Sequence, residues 1–182
     1  MYQAEKAAQA AAYLLAKAPE SRLGRLKLMK LLYLADRQAF ANYGRTITGD
    51  RMVSMQHGPA LSSTLNQLQS EGDFTQWVTA CGSNHHEVAA GADLDSADLL
   101  SRADRAILDA IWARFGDMHM WDLRNWTHDP ANCPEWEDPN GSSRTISLEA
   151  LGRALGIPEQ ELAALIAENA EQQHLQEALA SL

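Results

Sequence analysis

The chain is poor in the residues that announce a chemistry. Its 182 residues include only two cysteines, Cys81 and Cys133, far apart and with no CxxC pair. That excludes a disulfide scaffold and the compact zinc modules, and free thiols are expected. No apolar run approaches the ~18 residues that span a bilayer. The Ala-rich stretch after Lys6 is broken by Lys17 and lacks a cleavage signal, so a cytoplasmic protein with no membrane partner is expected. No P-loop, GxGxxG, nucleophile elbow or HExxH occurs, so neither a cofactor nor catalysis is expected. Basic residues are also scarce, with 15 Lys and Arg against 24 Asp and Glu. An acidic chain makes a poor nucleic-acid binder.

The net charge of −9 is unevenly spread. Residues 1–55 hold nine basic and four acidic side chains, leaving six and twenty in the remainder. A bipolar chain can steer a charged partner, although two solvated faces explain the pattern equally well.

Hydrophobic periodicity predicts an Ala-rich helix over 3–17, stopped at Pro19, and a stronger one over 23–43, stopped at Gly44. The second carries a broad arc of Leu26, Leu28, Met29, Leu32, Tyr33, Ala35, Ala39 and Phe40. Lys27, Lys30, Arg37 and Gln38 fall opposite it, an expected exposed basic stripe. Alternation in Arg51–Gln56 predicts a strand. Pro59 is expected to open a helix running to Ser70 and closed by Gly72. Residues 74–80 and 85–90 read as a hairpin. Ser101 and Asp104 form a capping-box pattern ahead of a helix ending at Gly116. A shorter helix covers 118–126, a Pro-rich loop follows, and Ser147 and Pro158 open two last helices. The expected fold class is α+β, helix-dominated: a central helix, several packed helices and a small antiparallel sheet of about three short strands.

Asp36 lies inside the apolar arc. A buried carboxylate requires partners, and the turn between Gly44 and Gly49, Arg45 or Arg51 can supply them. The structural reading, a pin for that turn, is favoured over a catalytic carboxylate, because no second acid or base stands at a recognisable spacing. His57-Gly58-Pro59 reads as a strand-to-helix corner, with His57 either fixing the corner or facing helix N–H groups. His85, His86, His119, His128 and Cys133 are too scattered for a metal site. Cys133, beside Pro134, has no activating neighbour to make it a nucleophile. Trp121, Trp126 and Trp136 finish a core or anchor an interface.

The stretch from Leu26 to Tyr33, then Ala35-Asp36, Tyr43-Gly44, Ile47-Thr48-Gly49-Asp50 and His57-Gly58-Pro59, resembles the signature of the Panacea domain family of SocA-like antitoxins. A weaker second block, Trp126-Thr127-His128-Asp129 followed by Trp136, is similar to that family's C-terminal His and Trp. The likeness spans about residues 10–140. It implies an antitoxin that neutralises a protein toxin encoded by an adjacent gene, by direct binding; one branch of the family instead delivers its toxin to a protease. Lys27, Lys30, Tyr33, Asp36, Tyr43, Gly44, Thr48, Gly49, Asp50, His57, Gly58, Pro59, His128 and Trp136 are the motif positions it marks. On this reading residues 1–145 form the Panacea-like domain, and 146–182 a C-terminal helical extension packed on it or projecting from it. Lys27, Lys30 and Arg37 are the expected toxin-binding face. The competing readings are a small cytosolic enzyme using Asp36, His57 and His128, and a prophage regulatory protein that binds host factors. The sequence leaves the oligomeric state open.

Overall fold

A computed structural model describes residues 1–70 and 73–180. Helix α1 covers Ala4–Lys17 and strand β1 Arg22–Gly24. The long helix α2, Arg25–Tyr43, follows directly. Then come β2 (Met52–Met55), β3 (Gly58–Leu61), α3 (Ser62–Gln69), β4 (Asp73–Phe74), β5 (Val78–Cys81) and β6 (His85–Val88). Helices α4 (Arg102–Phe115) and α5 (Met120–His128), strand β7 (Arg144–Thr145), and helices α6 (Leu148–Ala154) and α7 (Glu159–Ala180) complete the order. The fold is α+β and helix-dominated.

The strands form two small antiparallel sheets, in orders β1-β6-β5-β4 and β3-β2-β7. Only three of the seven strands, β2 and the β5–β6 hairpin, are legible in the sequence. β1, β4 and β7 are two or three residues long, too short for a period to register.

Helix α2 is the axis of the molecule. It packs against α1, α4, α5, β3 and α6, so every side chain from Leu28 to Asp36 is buried. Helix α1 is buried almost as completely, because alanines let neighbours approach from several sides. Gly44 ends α2 in the left-handed conformation, φ +66. Leu165 of α7 occupies the space a Cβ there would need, and the Asn169 amide donates to the Gly44 carbonyl (2.7 Å). Leu151 of α6 and Leu162 of α7 join the same buried cluster as α2. The capping box of α4 forms as expected, with Ser101 and Asp104 bonded reciprocally.

Two expectations need correction. Pro59 does not open a helix. It lies in β3, paired with Ser54 across a tight hairpin whose turn is Gln56-His57. β3 is an edge strand, where a residue without an N–H is tolerated. Helix α3 begins three residues later, at Ser62. Its expected stop, Gly72, lies outside the described residues. The second correction concerns Lys30, which is only 1% exposed. The helical wheel placed it in solvent, but α2 has no solvent side at that level.

Candidate functional site

Lys30, Tyr33 and Asp36 on α2 face inward, and Asp36 and Tyr33 are held by two separate sets of hydrogen bonds. The first centres on Asp36, which is fully buried. The N–H groups of Ile47 and Thr48 donate to its Oδ1 (2.8 and 3.0 Å), and the Thr48 hydroxyl donates to Oδ2 (2.5 Å). The expected arginine partners go elsewhere. Arg45 lies 3.6 Å from Asp104 and Arg51 donates to Ser62. Burial pushes Asp36 up to about 7, against the bonds from Thr48 and Ile47 that favour the carboxylate.

Thr48 passes the arrangement along the chain, since its Oγ1 accepts from the Asp50 N–H (3.1 Å). Asp50 then accepts from the N–H groups of Ser63 and Thr64 (3.0 and 2.7 Å) and the Thr64 hydroxyl (2.8 Å). It thereby caps α3, whose own N-cap position, Leu61, has no side chain able to do so. Gly49, at φ +65, lies against the Met1 carbonyl, where a Cβ would collide.

The second set ties α2 to the Pro-rich loop. Glu135 Oε1 accepts from the Tyr33 hydroxyl (2.5 Å) and from Arg37 Nε (2.6 Å). Arg37 Nη2 also donates to the Asn132 carbonyl (3.0 Å). The Glu135 side chain has no exposed surface. Beside it, burial pushes the Cys133 thiol up to about 12, so the residue is an inert apolar filler and no nucleophile.

Lys30 donates to the Pro59 carbonyl (2.6 Å) and forms no ion pair among the described residues. Gly58, at φ +89, is needed here because a Cβ would meet both the Lys30 ammonium and the His128 ring. His128 closes the corner. Nδ1 lies 2.6 Å from the Arg124 carbonyl and Nε2 lies 3.2 Å from that of Gln56. Burial lowers its pKa, and a neutral ring donates to only one of them; the shorter contact takes the proton. Trp136 packs on His128 with centroids 4.3 Å apart and donates from Nε1 to the Met55 carbonyl (3.1 Å). His57 sits exposed in the turn itself, away from any helix N-terminus.

Burial depresses the Lys30 pKa to about 7. In an unfolded chain it stays protonated to about 10.4. Its charge therefore costs stability below pH 7, and the cost is relieved as pH rises from about 7 to 10. Relative to Lys30→Met, the wild type is expected to gain up to about 1 kcal/mol per pH unit across that window. Urea titrations at pH 7, 8 and 9 measure this, and a constant difference would exclude a desolvated ammonium.

The basic stripe expected on α2 does not exist as a surface. Lys30 is buried, Arg37 is half-buried against Glu135, and Lys27 donates to the Gly116 carbonyl. Of the motif aromatics, Tyr33 is buried and Tyr43 is 49% exposed. The scattered histidines remain apart: His85 and His86 on β6, His119 ahead of α5, His128 at its end. Among the described residues, no group of three or more His, Cys, Asp and Glu could hold a metal ion, and no helix is long and apolar enough to cross a membrane.

Sequence reasoning missed Glu135. Its partners lie about a hundred positions away, and a single Glu between Pro134 and Trp136 carries no local signal. A groove opens between α2, α4 and α5, floored by Leu34, Ile107, Ile111 and Phe115.

No curated protein and no solved structure matches the chain. The family model for the SocA-like antitoxin, Panacea domain, matches residues 28–137, more than half of its length. That span contains Asp36 with its turn, Glu135 with Tyr33 and Arg37, and the hairpin closed by His128 and Trp136. By that match the chain belongs to the SocA-like antitoxin family and carries its Panacea domain.

Proposed function

We propose that the chain neutralises a protein toxin encoded beside it by direct contact, without chemistry of its own. Membership of an antitoxin family supports this reading. The observation that carries it is the state of the polar groups on α2 and on the loop packed against it. Asp36, Lys30, Tyr33, Arg37 and Glu135 are committed to bonds within the chain, as scaffold groups are. An enzyme built on Asp36, His57 and His128 would need them to converge. Asp36 bonds to Ile47 and Thr48, His128 to two backbone carbonyls, and His57 stands in an exposed turn. Residues 1–145 act as the antitoxin domain in this proposal, and 146–182 as an extension whose helix α7 is seated on the C-terminal end of α2 through Leu165 and Asn169.

Co-expression with the adjacent reading frame tests it. The chain is expected to relieve the growth arrest that the neighbouring product causes, and to co-purify with it. His57→Gln is expected to preserve that relief in full, since the side chain is exposed. A wild-type chain that neither rescues growth nor captures the product would end the proposal. Loss of rescue in His57→Gln with capture intact would favour the enzyme.

A further inference from the structure

We propose that the groove between α2, α4 and α5 is a docking site for an amphipathic helix of the partner protein, one that flanks its apolar face with carboxylates. This rests on the reading that the chain works by protein contact, and it names the face and the chemistry of what binds there.

The groove measures about 340 Å³ and lies inside the span shared with the family. Its floor is apolar, built from Leu34, Ile107, Ile111 and Phe115, with half-buried Trp126 at one side. On its rim Tyr43 is among the few large side chains left about half exposed. Tyr, Trp and Arg at the edge of an apolar depression are the residue types that dominate binding energy at interfaces.

The outer wall is a single line of α4. Ala106, Ala110 and Arg114 recur at intervals of four, and all three are exposed and line the groove. Residues so spaced follow one face of a helix. The two alanines leave room for another backbone to approach closely, and Arg114 stands one turn beyond them.

Charge settles which partner fits. The charged residues lining the groove are Arg37 and Arg114, with no Asp or Glu among them. Arg37 is neutralised by Glu135. Arg114 has no carboxylate partner among the described residues. Its guanidinium instead lies over Phe115 and Trp126, 4.9 and 5.4 Å from the ring centroids. On a chain of net charge −9, an unpaired arginine at the edge of a groove with an apolar floor is complementary to an acidic, amphipathic helix and repels a basic one.

The test uses the full chain, ¹⁵N-labelled, and a helical peptide of 14 residues, the length of α4. The peptide carries Leu and Ala on one face and Glu on both flanks. Saturable shifts are expected at the Ala106, Ala110 and Arg114 amides and the Trp126 indole N–H. The same peptide with Lys flanks is expected to bind at least about tenfold more weakly. Arg114→Glu should reverse that preference, and Ala110→Trp should abolish both titrations. Circular dichroism and the rest of the amide spectrum verify that these surface variants fold. Absence of shifts at millimolar peptide, shifts centred elsewhere, or equal binding of the Lys peptide would each overturn the proposal. So would the same shifts appearing in the free chain as its concentration rises, which would assign the groove to a second copy. The growth-rescue experiment reads the proposed function independently. Failure here beside successful rescue rejects the groove and leaves the antitoxin reading standing.

Discussion

Glu135→Ala is expected to lower the stability of the protein by about 3–5 kcal/mol, the cost of breaking a buried pair from one side. The carboxylate accepts from Tyr33 and Arg37 at once and has no exposed surface. Its removal strands a buried phenol and a guanidinium that is largely withdrawn from water. For a domain of this size the melting temperature should fall by roughly 6–20 °C. Glu135→Gln keeps one acceptor oxygen and should lose less. The triple variant Glu135→Leu, Arg37→Met, Tyr33→Phe should recover much of the loss, because apolar groups of similar shape remove the desolvation penalty along with the bonds. Urea unfolding of the four proteins measures all of this. A Glu135→Ala midpoint equivalent to less than about 1 kcal/mol of destabilisation would mean the pair is solvated and the account of the loop is wrong.

Asp36→Ala should cost about 3 kcal/mol, since the two N–H groups and the hydroxyl that bond Asp36 are left in a dry interior. Asp36→Asn is the informative companion. Its carbonyl still accepts from Ile47 and Thr48, and its amide can donate to the Thr48 hydroxyl, so more than half of the loss should return. The folded-state pKa near 7 stands above the ordinary carboxylate value. Asp36 therefore contributes its full stability below about pH 4 and loses part of it as pH rises through 7. The difference between wild type and Asp36→Asn should shrink over that interval. Thermal melts at pH 5, 6 and 7 read it. An Asp36→Ala melt superimposable on wild type would dispose of the pin.

Where local chemistry decides an element, the sequence was readable. Gly44 ends α2, Ser101 and Asp104 cap α4, Ser147 opens α6, and the arc on α2 marked the helix that forms the axis. Asp36 was readable too, because its partners begin eleven residues away on the next turn. Lys30 was not. A helical wheel ranks one face against another and has no way to register a helix covered on all sides. Pro59 was misplaced because a proline suits the start of a helix and the edge of a sheet equally, and the choice falls to the pairing with Ser54. Glu135 was invisible because a contact across about a hundred residues leaves no pattern in either segment. The groove was invisible for a related reason: Arg114 looks like an ordinary surface residue until α2 and α5 are placed beside it.

The capping of α3 from a distance has a consequence for the order of events in folding. A helix of eight residues with no cap of its own does not persist alone in water. The donors at its start, Ser63 and Thr64, find their acceptor only once Asp50 has been set in place. Asp50 is positioned through Thr48, and Thr48 by Asp36 on α2. So α2 must form and gather its turn before α3 can nucleate. Substitutions within α3 should then leave the folding rate almost unchanged and accelerate unfolding, whereas Asp36→Asn should slow folding itself.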